Sequence, residues 1–314
     1  MNNEYRFERL NEKNIIDLLP LYLDAFHEVR SIDIVRAKFD TASFGAKNWA
    51  FIAYANDNTA AALYALFPVI ITKNEREILA GQVGDLMTHS NHRRKGLYIT
   101  LADMTHQLAR LEGVELIFTV PYGENASYQG FMNRLNFIHT HNLNGYYFKV
   151  NAFPTFLFTS KSHFINQIYL AFAKQILSRL FSIVYSFKND LVSDYAEVIR
   201  SNSFFDYKKK YSQTYVMQID NVAVWFKIDK GSLKVGDIEK KSNKNFENIL
   251  IGLKWVAFAL GIRIIQFEAS PDTYLDKLLQ KIATPICNYR VCLLNFSNLS
   301  DTDFKFTFAD LDNF

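Results

Sequence analysis

Apolar positions along the chain alternate between two periods, and the changes of period outline its elements. From Asn14 to His27 they recur at helical spacing, with Asp24 and Glu28 on the polar side. Trp49–Tyr54 and Ala61–Ile71 are runs rich in aromatic and aliphatic residues, joined through Asn56-Asp57-Asn58, and predict two strands and a turn. Glu77–Met87 predicts a further strand, followed by a loop of His, Asn, Arg and Lys. Helical spacing returns at Leu97, Leu101, Met104, Leu108 and Leu111, and Gly113 supplies the residue type that ends such a helix. Val114–Val120 then predicts a short buried strand, Asn125–Leu135 a helix, and Tyr146–Val150 a closing strand.

From Ala152 to about Lys210 the pattern changes to helix and loop, a connector whose start Pro154 marks. Between Phe164 and Phe187, apolar residues recur at helical spacing, but the longest unbroken run is Ile168–Ala173. That falls short of the ~18 residues a membrane span needs. A helix packed on a domain is expected, with peripheral membrane contact as the lesser alternative. Strands return at Tyr215–Ile219, Ala223–Ile228 and Leu233–Ile238.

An internal repeat links the two halves. Val83-Gly84-Asp85-Leu86 is echoed by Val235-Gly236-Asp237-Ile238, and Gly113–Phe118 by Gly261–Gln266. Each copy then reaches a proline, Pro121 or Pro271. The second copy is four residues shorter between these anchors, across the place where the first carries Arg93-Arg94-Lys95-Gly96. The expected organisation is a first domain over 1–150, a helical connector over 151–210 and a degenerate second copy over 211–314.

Composition narrows the function. The 314 residues are 49% hydrophobic and 21% charged, which suits a soluble globular protein. A net charge of +3 is too weak to predict a nucleic-acid partner, and Lys208-Lys209-Lys210 reads as a solvated loop. The balance is compatible with an anionic cofactor. Cys287 and Cys292 fit neither a CxxC motif nor a zinc set, and their apolar surroundings predict buried thiols in a reducing cytoplasm. The polar start Met1–Arg6 lacks the features of a signal peptide. His89 and His92 flank Asn91 with no third ligand at metal spacing, so no metal is expected. Ser127 has no nucleophile elbow, and there is no phosphate-loop or dinucleotide fingerprint.

The informative stretch runs from Thr88 to Leu101: a strand ends, a basic loop turns and a helix begins. The first amides of a helix have no partner within it, and the positive end of its dipole lies there too, so the position suits a phosphate. Gly96 permits close backbone approach. Arg93, Arg94 and Lys95 add charge at the mouth. The stretch resembles the acyl-CoA pyrophosphate loop of the GNAT N-acetyltransferase superfamily, Arg/Gln-x-x-Gly-x-Gly/Ala. Arg93 and Gly96 match, and Tyr98 stands where the family has a small residue. Asn125, Met132 and Asn136-Phe137 resemble the family's Asn-x6-Tyr-x3-Gly-Phe, with Met132 in place of the tyrosine and Asn136 in place of the glycine. Pro121, Asn125 and Ser127 resemble a variant associated with bacterial surface-polysaccharide loci.

The resemblance implies an α/β fold of two GNAT-like domains, each a mixed, mostly antiparallel sheet flanked by helices. It implies acetyl-CoA as acyl donor, held by Leu86, Met87, Thr88, Arg93, Arg94, Lys95, Gly96, Leu97, Tyr98, Asn125 and Ser127, and a small amine acceptor, such as an amino sugar. Asp85 is the first candidate base and Glu124 the second. Asp85 also reads as a turn or bulge residue after Gly84, because the second copy keeps Asp237. The amides of Met87 or Leu86 would bind the oxyanion by analogy. Tyr128, one helical turn before Met132, is the substitute proton donor. The loop Glu239–Phe246 lacks Arg-x-x-Gly, so the second copy is not expected to bind CoA. The competing readings are a Fem-like aminoacyl-tRNA-dependent transferase and a non-catalytic scaffold. A homodimer is left open.

Overall fold

A computed structural model describes residues 4–42, 47–153, 163–180, 187, 195–229, 231–240, 246–297 and 304–314. The first half contributes strands β1 (Tyr5–Arg9), β2 (Trp49–Ala55), β3 (Ala60–Lys73), β4 (Arg76–Thr88), β5 (Leu116–Thr119) and β6 (Ile138–Lys149). Its helices are α1 (Leu18–Phe26), α2 (Ile32–Phe39), α3 (Leu97–Leu111) and α4 (Ala126–Arg134). The connector holds helix α5 (His163–Leu180), strand β7 (Ala196–Val198) and helix α6 (Asn202–Tyr211). Then come β8 (Thr214–Ile219), β9 (Val222–Asp229), β10 (Ser232–Ile238), α7 (Phe246–Ala259), β11 (Ile264–Ala269), α8 (Tyr274–Gln280), β12 (Ile286–Asn295) and β13 (Phe304–Lys305). Pro154 and Lys241–Asn245, part of the second copy's loop, lie outside the described residues.

The predicted strands and helices of the first half are all present. β1 and α2 were not foreseen, although Ser31 caps α2 by accepting from the Ile34 amide at 3.3 Å. Side chains of β2 and β3 alternate between two cores, as a period of two requires. Ile52, Tyr54, Leu63 and Ala65 pack with α1 and α2, while Trp49, Ala53, Ala62, Tyr64 and Leu66 pack with α3 and α4.

The strands run β1-β2-β3-β4-β5-β12-β6-β11-β10-β9-β8 in one sheet, with β7 and β13 beside it. Pairs β4–β5, β10–β11 and β7–β13 are parallel and the others antiparallel. The order strand-strand-strand-helix-strand-helix-strand occurs twice, over β2–β6 and over β8–β12. The last strand of each run crosses to the other half. β6 pairs with β11 on one edge and β12 on the other, and β12 also pairs with β5. The strand expected at Tyr146–Val150 thus exists and begins earlier, but it adds to the second half's sheet.

The chain's end fills the second half where β10 and β11 part after Val235↔Phe267. Thr307 bridges to Ala269, and a Cβ on Gly236 would meet the Phe314 ring at 2.4 Å. Arg200 clamps this tail by donating to Asp310 and Asp237, all three buried. Two surface expectations change. Lys208 lies on α6, 2% exposed, donating to the Leu311 carbonyl, because the tail covers that helix face. Cys292 is buried as expected, but Cys287 is exposed near the start of β12.

Candidate active site

β4 and β5 pair only over Ala80↔Leu116, Gly81↔Ile117 and Gln82↔Phe118, and past Gln82 they part. On its other edge β4 bulges: Asp85 and Leu86 oppose the single Tyr64 between the pairs Ala65↔Gly84 and Leu63↔Met87. Asp85 takes a left-handed φ of 49° there. The fork between the strands opens into a cleft of about 350 Å³, lined by Gly84, Leu86, Thr119, Pro121, Asn125, Ser127 and Phe131 among others.

β4 leads straight into the basic loop. Ser90–His92 form a 3-10 turn, Arg94 and Gly96 have φ of 63° and 78°, and α3 starts at Leu97. Gly96 offers no side-chain cap, and a Cβ there would meet nothing within 4 Å. The amides of Leu97 and Tyr98, in the first turn, make no hydrogen bond among the described residues and lie at the positive end of a 15-residue helix. The loop is fixed from behind. Asp24 on α1 accepts from the Ser90 amide at 2.7 Å and the Ser90 hydroxyl at 2.8 Å, and the Tyr5 hydroxyl meets His92 Nδ1 at 2.9 Å. Arg93, Arg94 and Lys95 are exposed at the mouth, with Arg93 Nε donating to the Thr88 carbonyl at 3.4 Å.

Tyr98 does not crowd this loop. Its ring turns inward between Tyr64 and Phe131, at centroid distances of 5.9 and 5.8 Å. Gly130 on α4 makes the room, since a Cβ there would come within 2.3 Å of the Tyr98 ring. Asn125 caps α4, accepting from the Tyr128 amide at 3.0 Å and the Ser127 hydroxyl at 3.1 Å. Met87 and Thr88 continue β4 from the cleft toward the loop.

The three expected catalytic residues fare differently. Asp85 lines the cleft but is buried, and both its oxygens are occupied: Lys38 Nζ donates to Oδ1 at 2.8 Å and the Tyr22 hydroxyl to Oδ2 at 2.5 Å. Burial pushes its carboxyl up, but Lys38 and Arg30 outweigh that and hold it below the usual carboxylate range. Such a group is a poor proton acceptor. Tyr128 points out of the cleft, with the Arg290 guanidinium 5.3 Å from its ring and His139 edge-on. Glu124 is exposed and accepts from Arg290 at 2.8 Å.

Two cleft residues escaped the sequence reading because they come from the far end of the chain. Asp312, from the tail, lies over Gly84: a Cβ on that glycine would fall 2.6 Å from Asp312 Oδ2. Lys38 Nζ donates to Oδ2 at 3.2 Å, while Oδ1 makes no hydrogen bond among the described residues. Tyr289 arrives on β12, edge-on to Tyr122 and bridged to it through the backbone. Burial first, then Glu268 nearby, pushes its hydroxyl above the usual phenol range, so it keeps its proton. Beyond Asp312 the cleft continues into a cavity of about 570 Å³, walled by α2 from the first half and by Lys227 and Asp229 on β9 from the second.

A family model described as an acetyltransferase (GNAT) domain matches residues 6–136. No curated protein matches the sequence. A GCN5-related N-acetyltransferase from Kribbella flavida superposes with a TM-score of 0.58 at 12% identity, covering 93% of this chain and 72% of that one. One from Anabaena variabilis gives 0.54 at 12% identity over 93% and 73%. The Saccharomyces cerevisiae N-myristoyltransferase, solved with myristoyl-CoA, gives 0.57 at 9% identity over 97% and 85%. At these identities the superpositions speak to the fold, and they extend over both halves of the sheet. The segment that matches the acetyltransferase (GNAT) domain model, residues 6–136, spans the parted strands and the glycine turn.

Proposed function

We propose that the protein moves an acyl group, most simply acetyl, from acyl-CoA to a small amine. The observation that carries this reading is the uncrowded Gly96 turn at the head of α3, which directly follows β4, the strand that parts from β5. The pyrophosphate would rest on the amides of residues 96–98 beside Arg93, Arg94 and Lys95. The pantetheine would lie in the fork, with the thioester carbonyl near the bulge at Leu86 and Met87. Asn125 and Ser127 would edge the same channel.

The acceptor amine would enter through the 570 Å³ cavity that both halves wall, which supports an acceptor with bulk beyond the amine, an amino sugar among the candidates. Its nitrogen attacks the thioester carbon, the C–S bond breaks, and one proton leaves nitrogen while another reaches the thiolate. Asp312 lies over Gly84 and keeps Oδ1 without a hydrogen bond among the described residues, which makes it a better candidate base than Asp85, whose two oxygens are both occupied. Tyr289 is better placed than Tyr128 to hydrogen-bond or protonate the leaving thiolate, since it lines the cleft. The organisation into a domain over 1–150, a connector over 151–210 and a second copy over 211–314 also belongs to this proposal. It is supported by the repeated element order and by the tail that occupies the second fork.

The test is a screen of amines, amino sugars included, with acetyl-CoA and detection of released thiol. The reading expects amine-dependent thiol release in at least one class. Acetyl-CoA binding without release for any amine would leave a CoA-binding protein and remove the transferase.

A further inference from the structure

Helices α5 and α7 cover the same face of the second half's sheet and share one hydrophobic core, with the Tyr169 hydroxyl donating to the Leu260 carbonyl at 2.8 Å. Their outer sides therefore face the same way. Those sides are apolar: Ile165, Ile168 and Phe172 on α5 are 43–58% exposed, and Ile251, Trp255 and Phe258 on α7 are 53–64% exposed. Single exposed apolar residues are ordinary, but six on two neighbouring helices form a patch that calls for a partner.

Charge identifies the partner. From residue 125 to residue 189 the chain has no Asp or Glu, yet it carries six Lys or Arg. Lys174 and Arg179 on α5 and Lys254 on α7 are exposed beside the patch, and none forms an ion pair among the described residues. Pressing two copies together through this face would bring Lys174, Arg179 and Lys254 against each other, with Glu247 at the start of α7 as the single acid on either helix. An anionic bilayer supplies both an apolar layer and negative headgroups. No helix among the described residues is long and apolar enough to cross a membrane, so contact would be at the surface. We propose that the α5–α7 face docks the protein on an anionic lipid bilayer, with Trp255, Phe172 and Phe258 seated among the headgroups. The inference does not depend on acyl transfer.

Trp255 reports on it directly, because Trp49 and Trp225 are fully buried. The full chain is mixed with phosphatidylcholine vesicles, with or without phosphatidylglycerol, followed by flotation and tryptophan emission. The expected result is flotation and a blue shift only with phosphatidylglycerol, both lost at high salt. Lys174→Glu with Lys254→Glu should weaken binding about tenfold or more, at unchanged melting temperature. Trp255→Ser should remove the blue shift and serves as the second variant should the double substitution unfold. Absence of flotation, equal binding to pure phosphatidylcholine, or a vesicle-free dimer that Trp255→Ser converts to monomer would each overturn the proposal.

Discussion

Asp85 and Asp312 share one lysine and are predicted to do different work. Asp85, Lys38 and Tyr22 form a closed buried set, so Lys38→Met should strand a buried carboxylate and cost about 3–5 kcal/mol, read by chemical denaturation. Asp312→Asn should leave acetyl-CoA affinity within about twofold and lower turnover by ~10²-fold or more, the low end of general-base effects. An equal loss of CoA affinity would mark Asp312 as a binding or structural residue. Glu268 offers a pH test. Its side chain is buried against Gly145, Oε2 has no hydrogen-bond partner among the described residues, and burial raises its pKa to about 8. Between the unfolded value near 4.5 and about 8, the folded state holds a proton that the unfolded state has released, so this residue subtracts stability as pH rises through that window. The advantage of Glu268→Gln in melting temperature should therefore grow from pH 5 to about pH 8 and then level off. A pH-independent difference would contradict the assignment.

At the scale of elements, the pairing of Tyr98 with Gly130 explains how the pyrophosphate turn tolerates an aromatic residue. Gly130→Val should push that ring out and destabilise the fold by about 1–3 kcal/mol. Adding Tyr98→Ala should recover much of the loss, a non-additivity that denaturation of the double variant measures. The elements themselves were legible in the sequence: period-two and helical runs located β2 through β5 and both flanking helices, and Gly96 with its basic neighbours marked the turn. Strand partners were not. An apolar pattern states which face is buried, whereas the exchange of β6 and β12 concerns which edges pair. The roles of Asp310 and Asp312 were hidden for a related reason. Their partners Arg200 and Lys38 lie 110 and 274 residues away, so the tail reads locally as an acidic loop. The same coverage by the tail turned Lys208 from a surface residue into a buried one.

The whole molecule joins two forks of one sheet by a single strap. The first fork opens into a cleft, and the second is filled by residues 304–314. The strap that closes the second fork also delivers Asp312 to the first, and under the proposed function this couples the halves in chemistry as well as in stability. Arg200→Met should break both its carboxylate contacts, cost about 3–5 kcal/mol and reduce turnover with it, since the tail would lose its anchor. Unchanged turnover in a destabilised Arg200→Met would separate the tail from catalysis. In the proposed function the Gly96 turn grips the diphosphate of an acyl-CoA. Calorimetric titration of acetyl-CoA into the wild-type chain and into Gly96→Trp tests it most directly. Saturable binding to the wild type and its loss, at unchanged fold, in the variant are the expected results. Absence of binding to the wild type at millimolar acetyl-CoA, or equal binding to both proteins, would contradict that function.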